Sequence, residues 1–232
     1  LSVGIVYPTE MPEDLGLVRL YRQWFEARGF QVHLGSPFNL TEGPDRRVCL
    51  FGAPCDVLLR HYKTDWWGER APVWDDEEPY EDPLPLVEPL QRVLRASLEG
   101  RCVVVNPFGA VLTQNKRAMA FMWEHHARFS PGARAAIRAH VPYTVRMETL
   151  PVEDLARERE DWVLKSDYGA EGDEVLVGRL TSVREWNAAL VHAVPGRWVA
   201  QRYFHAEQGP GGETVNHGVY VIAGEAAGSS AL

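Results

Sequence analysis

Residues 162–177 read Trp162-Val163-Leu164-Lys165-Ser166-Asp167-Tyr168-Gly169-Ala170-Glu171-Gly172-Asp173-Glu174-Val175-Leu176-Val177. Two apolar runs, WVLK and VLV, flank a polar stretch from Ser166 to Glu174, the pattern of two strands joined by a hairpin connection. The first strand ends on a lysine and the connection carries Gly169 and Gly172. Glycines let backbone N–H groups approach phosphate oxygens, and a neighbouring ammonium balances the phosphate charge. The loop leads into a strand and not into a helix, so it is neither a GxxxxGK[ST] loop nor a dinucleotide-binding GxGxxG. Taken alone it is either an ordinary turn or a phosphate cradle.

The segments around it extend the pattern. Downstream, Thr181 to Leu190 predicts a helix, with Thr181 or Ser182 as cap and Glu185 completing a capping box. Trp198 to Phe204 (WVAQRYF) predicts a strand that turns polar at Gln201, either an ordinary edge strand or one offering backbone groups to an adenine edge. Gly218 to Ala223 predicts a further strand, joined to it by the turn Gln208-Gly209-Pro210-Gly211-Gly212. Upstream, Asn106-Pro107-Phe108 is a turn, followed by one long helix from about Leu112 to Phe129 and, after Ser130-Pro131-Gly132, a helix over Ala133 to His140. Lys116 by itself reads as a solvated helix lysine.

The first hundred residues have a different character. LSVGIVY (Leu1 to Tyr7) is a buried-strand run. LGLVRLYRQWFEA carries Leu17, Leu20, Tyr21, Trp24 and Phe25 at helical spacing and stops at Gly29. FQVHL (Phe30 to Leu34) is a second strand. Short β-α-β connections favour parallel pairing. Short strands are expected at Val48 to Phe51 and Asp56 to Leu59, a helix over Leu84 to Leu98, and a buried strand at Arg101 to Val105. The acidic, proline-broken run Asp75 to Pro83 reads as a solvated loop in preference to a magnesium site, because adjacent carboxylates there do not converge on one ion. The fold expected is therefore α/β and α+β. An α/β domain with parallel strands spans residues 1–105, and an antiparallel-sheet region spans 106–232.

Composition narrows the function classes. The chain has 232 residues with 45% hydrophobic and 24% charged, which suits a packed core and excludes a disordered chain. A net charge of −8 argues against nucleic acid as partner. No apolar run is long enough to span a bilayer, and no basic-then-apolar leader is present, so neither a membrane nor secretion is expected. Cys49, Cys55 and Cys102 are odd in number and lack a CxxC, which fits buried thiols in a cytoplasmic setting. His125 and His126 are adjacent and share no helix face, so they are not a metal pair. Trp66, Trp67 and Trp123 read as packing residues. Arg60, His61 and Lys63 either line a substrate cleft or carry solvated charge. The chain opens on Leu1 inside one apolar run and stops at Leu232 after another, as the interior of a longer protein would.

Four motifs occur in a known order: NPFGAVLTQNK at 106–116, VLKSDYGAEG at 163–172, WVAQRYF at 198–204 and GVYVIAGEAAG at 218–228. Together they resemble the ATP-grasp superfamily, in its circularly permuted branch typified by glutathionylspermidine synthetase. DVLLRHYKTDWW at 56–67 is similar to the segment that precedes the NP motif there, and residues before 56 resemble a general pre-ATP-grasp domain. The resemblance implies that Lys116 and Lys165 reach the phosphates of ATP and that Gly169, Ala170, Glu171 and Gly172 fold over them. It implies that Gln201, Arg202 and Tyr203 line the adenine pocket, partly through backbone groups. Two residues depart from the family pattern: Ser166 replaces the usual proline, and Ala170 the usual arginine or serine. It implies magnesium as well, held in the branch by an Asp and a Glu-x-Asn ahead of the NP motif. Residues 1–105 contain no such set; Glu10, Glu13 and Asp14 qualify only as acids.

The activity implied is an ADP-forming ligase joining a small-molecule or peptide-like carboxylate to an amine through an acyl phosphate. The alternative is a degenerate, non-catalytic ATP-grasp domain that binds nucleotide or serves as an interaction module, with kinase-like transfer a weaker third. Nothing in the sequence bears on oligomeric state.

Overall fold

The computed structural model describes residues 1–9, 12–68, 86–169, 172, 174–193 and 196–231. The chain divides into two compact units, Leu1–Gln114 and Asn115–Leu232. Glu10, the acidic run at 75–83, Ala170 and Glu171 lie outside the described residues.

The first unit is built on a parallel sheet. Strand β1 (Ser2–Val6) is buried along its length. Helix α1 (Leu15–Glu26) follows and ends before Gly29, whose φ of 82° turns the chain into β2 (Gln31–Gly35). The apolar stripe that seats α1 is Val18, Tyr21 and Phe25, packed on Val3 and Ile5, while Leu17, Leu20 and Trp24 face solvent. The helix thus turns its seam a few tens of degrees from the one its bulkiest residues suggest, because the small Val18 fits closest to the sheet.

A three-stranded antiparallel sheet comes next: β3 (Leu40–Glu42), β4 (Val48–Leu50) and β5 (Ala53–Pro54). Then β6 (Val57–Arg60), α2 (Val87–Leu98), β7 (Val103–Val105) and the single turn α3 (Val111–Gln114) complete the unit. The parallel order is β2-β1-β6-β7, with Val3 opposite both Val32 and Val57. The side of the sheet away from α1 packs Val6, Leu58 and Cys55 against Val93 and Ala96 of α2, with Leu40, Val48 and Leu50 closing the core. Helices on both faces are what a parallel sheet needs to bury both surfaces. All three cysteines are free and buried, and burial pushes the thiols of Cys55 and Cys102 up to about 11.

The second unit begins with α4 (Arg117–Glu124) and α5 (Pro131–His140). It continues with β8 (Thr144–Arg146), α6 (Val152–Arg157), β9 (Trp162–Ser166) and β10 (Val175–Val177). Last come α7 (Val183–His192), β11 (Trp198–Arg202), β12 (His217–Ile222) and β13 (Glu225–Ala231). The antiparallel sheet runs β10-β9-β11-β8. Its alternation assigns two faces. Leu164, Ala200 and Val145 point to a core with Leu155 and Leu190. Trp186 completes that core and donates its Nε1 to the Leu155 carbonyl at 3.0 Å. Val163, Lys165, Val199, Gln201 and Thr144 lie on the other face.

Two expectations are corrected here. The segment 112–129 is not one helix: α3 and α4 are separate, and His126–Arg128 is a 3-10 turn. The interruption falls at Asn115-Lys116. The Asn115 side-chain oxygen accepts the Arg117 N–H at 2.8 Å, and the Lys116 N–H is donated to the Asp167 carbonyl at 2.9 Å. An asparagine that bonds locally competes with the helix ladder. The strand expected to be buried at Arg101 to Val105 is an edge strand: β7 exposes Val103 and Val105 because only β6 flanks it. The strand at 217–222 pairs with β13 in a two-stranded sheet.

Candidate functional site

The hairpin β9–β10 and the turn before α4 build one end of the second unit. Lys165 is the fourth residue of β9, on the face opposite the apolar core. Its half-buried ammonium donates to Gln201 Oε1 at 2.8 Å. Burial first, then the like charge of Lys116, pushes its pKa below the ordinary lysine value. Gln201, 3% exposed, is itself fixed: its amide donates to Thr144 Oγ1 at 2.9 Å and touches Met119 Sδ at 3.6 Å. Lys116 sits at the N-cap of α4, and its ammonium donates to the Gly169 carbonyl. Two cations from different elements thus converge on the base of the glycine loop.

The loop is organised from within. Ser166 Oγ accepts the Gly169 N–H at 3.0 Å, and the Ser166 N–H reaches the Glu174 carbonyl at 3.2 Å. Gly172 has φ of 90° with open space where a side chain would start, so only a glycine is unstrained there. Asp167, 4% exposed, is the tie that spacing alone does not single out. Its Oδ1 accepts Arg197 Nε at 3.1 Å, its Oδ2 accepts Asn115 Nδ2 at 3.4 Å, and its carbonyl accepts the Lys116 N–H. Of the residues that anchor the site, Asp167 and Asn115 lie inside the quoted motifs and Thr144 lies outside them, at the start of β8. Asp167 and Thr144 carried one sequence signal, a polar side chain at a strand end, and Asn115 stands in the turn before α4.

The nine residues implied as nucleotide-binding fall into groups. Lys116, Lys165, Gly169 and Gln201 come together, and Gly172 lies in the same loop. Arg202 points to the other side of β11, where Nη2 meets Glu158 at 3.1 Å, Nη1 meets Asp161 at 3.4 Å and Cζ lies 4.1 Å over the Trp162 ring. Tyr203 carries the Arg179 guanidinium 3.7 Å over its ring. The N–H groups of Arg202 and Tyr203 are donated to the Tyr143 and Asp161 carbonyls at 2.8 Å. Ala170 and Glu171 are outside the described residues.

The donor set fits polyphosphate: ammoniums, a glycine loop and a polar amide, with no carboxylate paired to Lys165 among the described residues. It does not supply magnesium. Among the described residues no three His, Cys, Asp or Glu side chains are grouped to hold a metal. Asp14 is paired with His61 at 3.4 Å, and Glu13 is exposed. His126 meets the Arg134 carbonyl at 3.2 Å, and the His125 ring packs on Phe121 at 4.5 Å between centroids. Trp67 is buried in the first unit's core with Trp66 packed against it. No described helix is long and apolar enough to cross a membrane.

Solved structures share the fold. The chain is similar over 99% of its length, and 72% of theirs, to a RimK domain protein ATP-grasp from Sphaerobacter thermophilus DSM 20745, at 20% identity and a TM-score of 0.53. It is similar over 98% of its length to the ATP-grasp ligase PsnB complexed with minimal precursor, covering 69% of that chain, at 15% identity and a TM-score of 0.53. The fold is therefore ATP-grasp-like, a mixed α/β architecture with one parallel and further antiparallel sheets. No curated protein matches the chain. The family profile described as glutathionylspermidine synthase preATP-grasp matches residues 71–231, more than half of the sequence. The chain belongs to that family.

Proposed function

We propose that the second unit binds ATP and that the protein is an ADP-forming carboxylate–amine ligase. The observation that carries this is the convergence of Lys116 and Lys165 on the Gly169 loop, with the Lys165 ammonium held partly out of water. Two neighbouring ammoniums in a half-buried setting repel each other, and a polyphosphate between them converts that repulsion into attraction.

In the reaction a substrate carboxylate oxygen attacks the γ-phosphorus of ATP. The β–γ P–O bond breaks, ADP leaves and an acyl phosphate forms. An amine then attacks the acyl carbon, the C–O bond to phosphate breaks, and the amide and inorganic phosphate are released. The lysines orient the phosphates and offset charge that builds on them, and the loop 169–172 covers them against water. Magnesium, when bound, neutralises phosphate charge as well; the described residues assign it no ligands. The substrates are small-molecule or peptide-like, and the buried free thiols support a reducing, cytoplasmic compartment.

The test is thermal melting with and without ATP and magnesium, for the chain and for Lys165→Ala. Ligand at about 100 times its Kd adds roughly 2.7 kcal/mol to the folded state. A raised Tm that the variant loses is expected, followed by ADP release in screens of carboxylate and amine pairs. An unchanged Tm at saturating nucleotide overturns the reading and leaves a domain that has lost its nucleotide.

A further inference from the structure

The first unit contains a cleft of about 390 Å3 lined by Arg60, His61, Lys63, Asn106, Thr113 and Gln114, among others. It opens where β6 and β7 end, beyond the carboxyl ends of parallel strands, the usual place for ligands in open α/β sheets. Arg60 is the last residue of β6 and only 9% exposed. Its Nε donates to the Asn106 carbonyl at 3.1 Å and its Nη1 to the Tyr62 carbonyl at 2.8 Å. The Phe108 ring lies 5.3 Å from its Cζ. Nη2 has no hydrogen bond, and the guanidinium no ion pair, among the described residues.

The other charges around the cleft are matched. His61 meets Asp14 at 3.4 Å. Lys63 meets Asp65 at 3.8 Å and lies 4.9 Å over the Trp66 ring. Asp65 is further held by Gln114, whose Nε2 donates to Oδ1 at 2.6 Å. Arg60 is left largely buried without a direct ion pair among the described residues; the Asp65 carboxylate, engaged by Lys63 and Gln114, acts on it only through space, and burial still outweighs that attraction.

We propose that this cleft holds the carboxylate of a small-molecule ligand, with Arg60 Nη2 as its donor and Arg60 as its counter-charge. The two backbone carbonyls fix the guanidinium plane before the ligand arrives, so little side-chain freedom is lost on binding. One guanidinium with the Asp65 carboxylate nearby matches a monoanionic carboxylate better than a dianionic phosphate. The remaining volume, with the polar groups of Thr113, Gln114 and Asn106, accommodates a body of amino-acid or dipeptide size. That this ligand is a substrate of the ligase rests on the function proposed above; that a carboxylate binds here does not.

The experiment is an amide chemical-shift titration of the whole chain with glutarate, its uncharged counterpart glutaramide, and inorganic phosphate. Glutarate is expected to shift the amides of residues 60–64 and 106–114 saturably, with glutaramide silent. Arg60→Gln is expected to weaken glutarate about tenfold, the loss of one charge-assisted hydrogen bond, while keeping the ATP-induced rise in Tm. Lys63→Gln, at the rim, weakens it less and serves if Arg60→Gln does not fold. Equal shifts from glutaramide, no saturable shift at those amides, or phosphate binding more tightly than glutarate each overturn the proposal. Glutarate binding without an ATP response overturns the ligase reading and leaves the cleft standing; the reverse pattern overturns the cleft alone.

Discussion

Lys165 is costly for the fold to keep. A strand lysine facing solvent loses nothing on folding, but this one is partly desolvated beside a second ammonium, and its pKa falls. Its folded value lies below its unfolded one, so above the folded value the native state binds fewer protons and its stability rises with pH up to the ordinary lysine value. Below that window the charged form opposes folding, the mark of a residue kept for something other than stability. Asp167 has the opposite role. Its carboxylate ties the Asn115 amide and the Arg197 guanidinium to the strand end. Asp167→Ala is expected to cost about 2–3 kcal/mol, read as a lower urea midpoint at unchanged slope, and to weaken ATP. The two lysines were legible because each stands in a motif with its own spacing. Asp167 was not, since its partner Asn115 is 52 residues away and only the fold brings them together.

At the level of elements, local signals that were complete were read correctly. Ser182 and Glu185 form a reciprocal capping box that starts α7, with Ser182 Oγ accepting the Glu185 N–H at 3.3 Å and Glu185 Oε2 accepting the Ser182 N–H at 3.1 Å. Ser182→Ala is expected to cost about 1 kcal/mol, measured by chemical denaturation. The Ser182 hydroxyl, then its backbone N–H, hold the Glu185 carboxyl below its ordinary value. That contribution is present above the unfolded carboxylate value and disappears as pH falls through the folded one, so the difference between Ser182→Ala and the parent narrows in acid. Signals that depend on distant partners were misread. The apolar run after Leu112 carries helical spacing across Asn115, yet a carbonyl on Asp167 takes the Lys116 N–H and the helix restarts. Strand β12 was read as a strand and is one; its partner, which the sequence reading did not name, is set by the turn at Ala223-Gly224, where both residues take positive φ and fold the chain back on itself.

For the whole molecule, the parallel pairing of the first unit, though not its strand order, followed from short β-α-β connections, and the antiparallel sheet of the second from two strands around a polar loop. The sequence left Arg60, His61 and Lys63 as either cleft-lining or solvated residues, and the structure places all three on one cleft. A sequence places an arginine after two leucines in DVLLR, but not the carbonyls that hold it. The hairpin β12–β13 contributes no described residue to the core of the second unit. Val219, Tyr220, Val221 and Ile222 are each between 61% and 67% exposed, so little apolar burial supports its hydrogen bonds. Two strands alone are marginal in water. Hydrogen exchange is expected to show amides of 217–231 losing protection first, well ahead of β9 and β11; protection equal to theirs would mean the hairpin shares their cooperative unit.

Pairing only with each other among the described residues, β12 and β13 leave a row of free backbone groups on either flank. Such a ribbon is a splice point. A further strand, from elsewhere in the same protein or from another molecule, can add to it without displacing any bond already made.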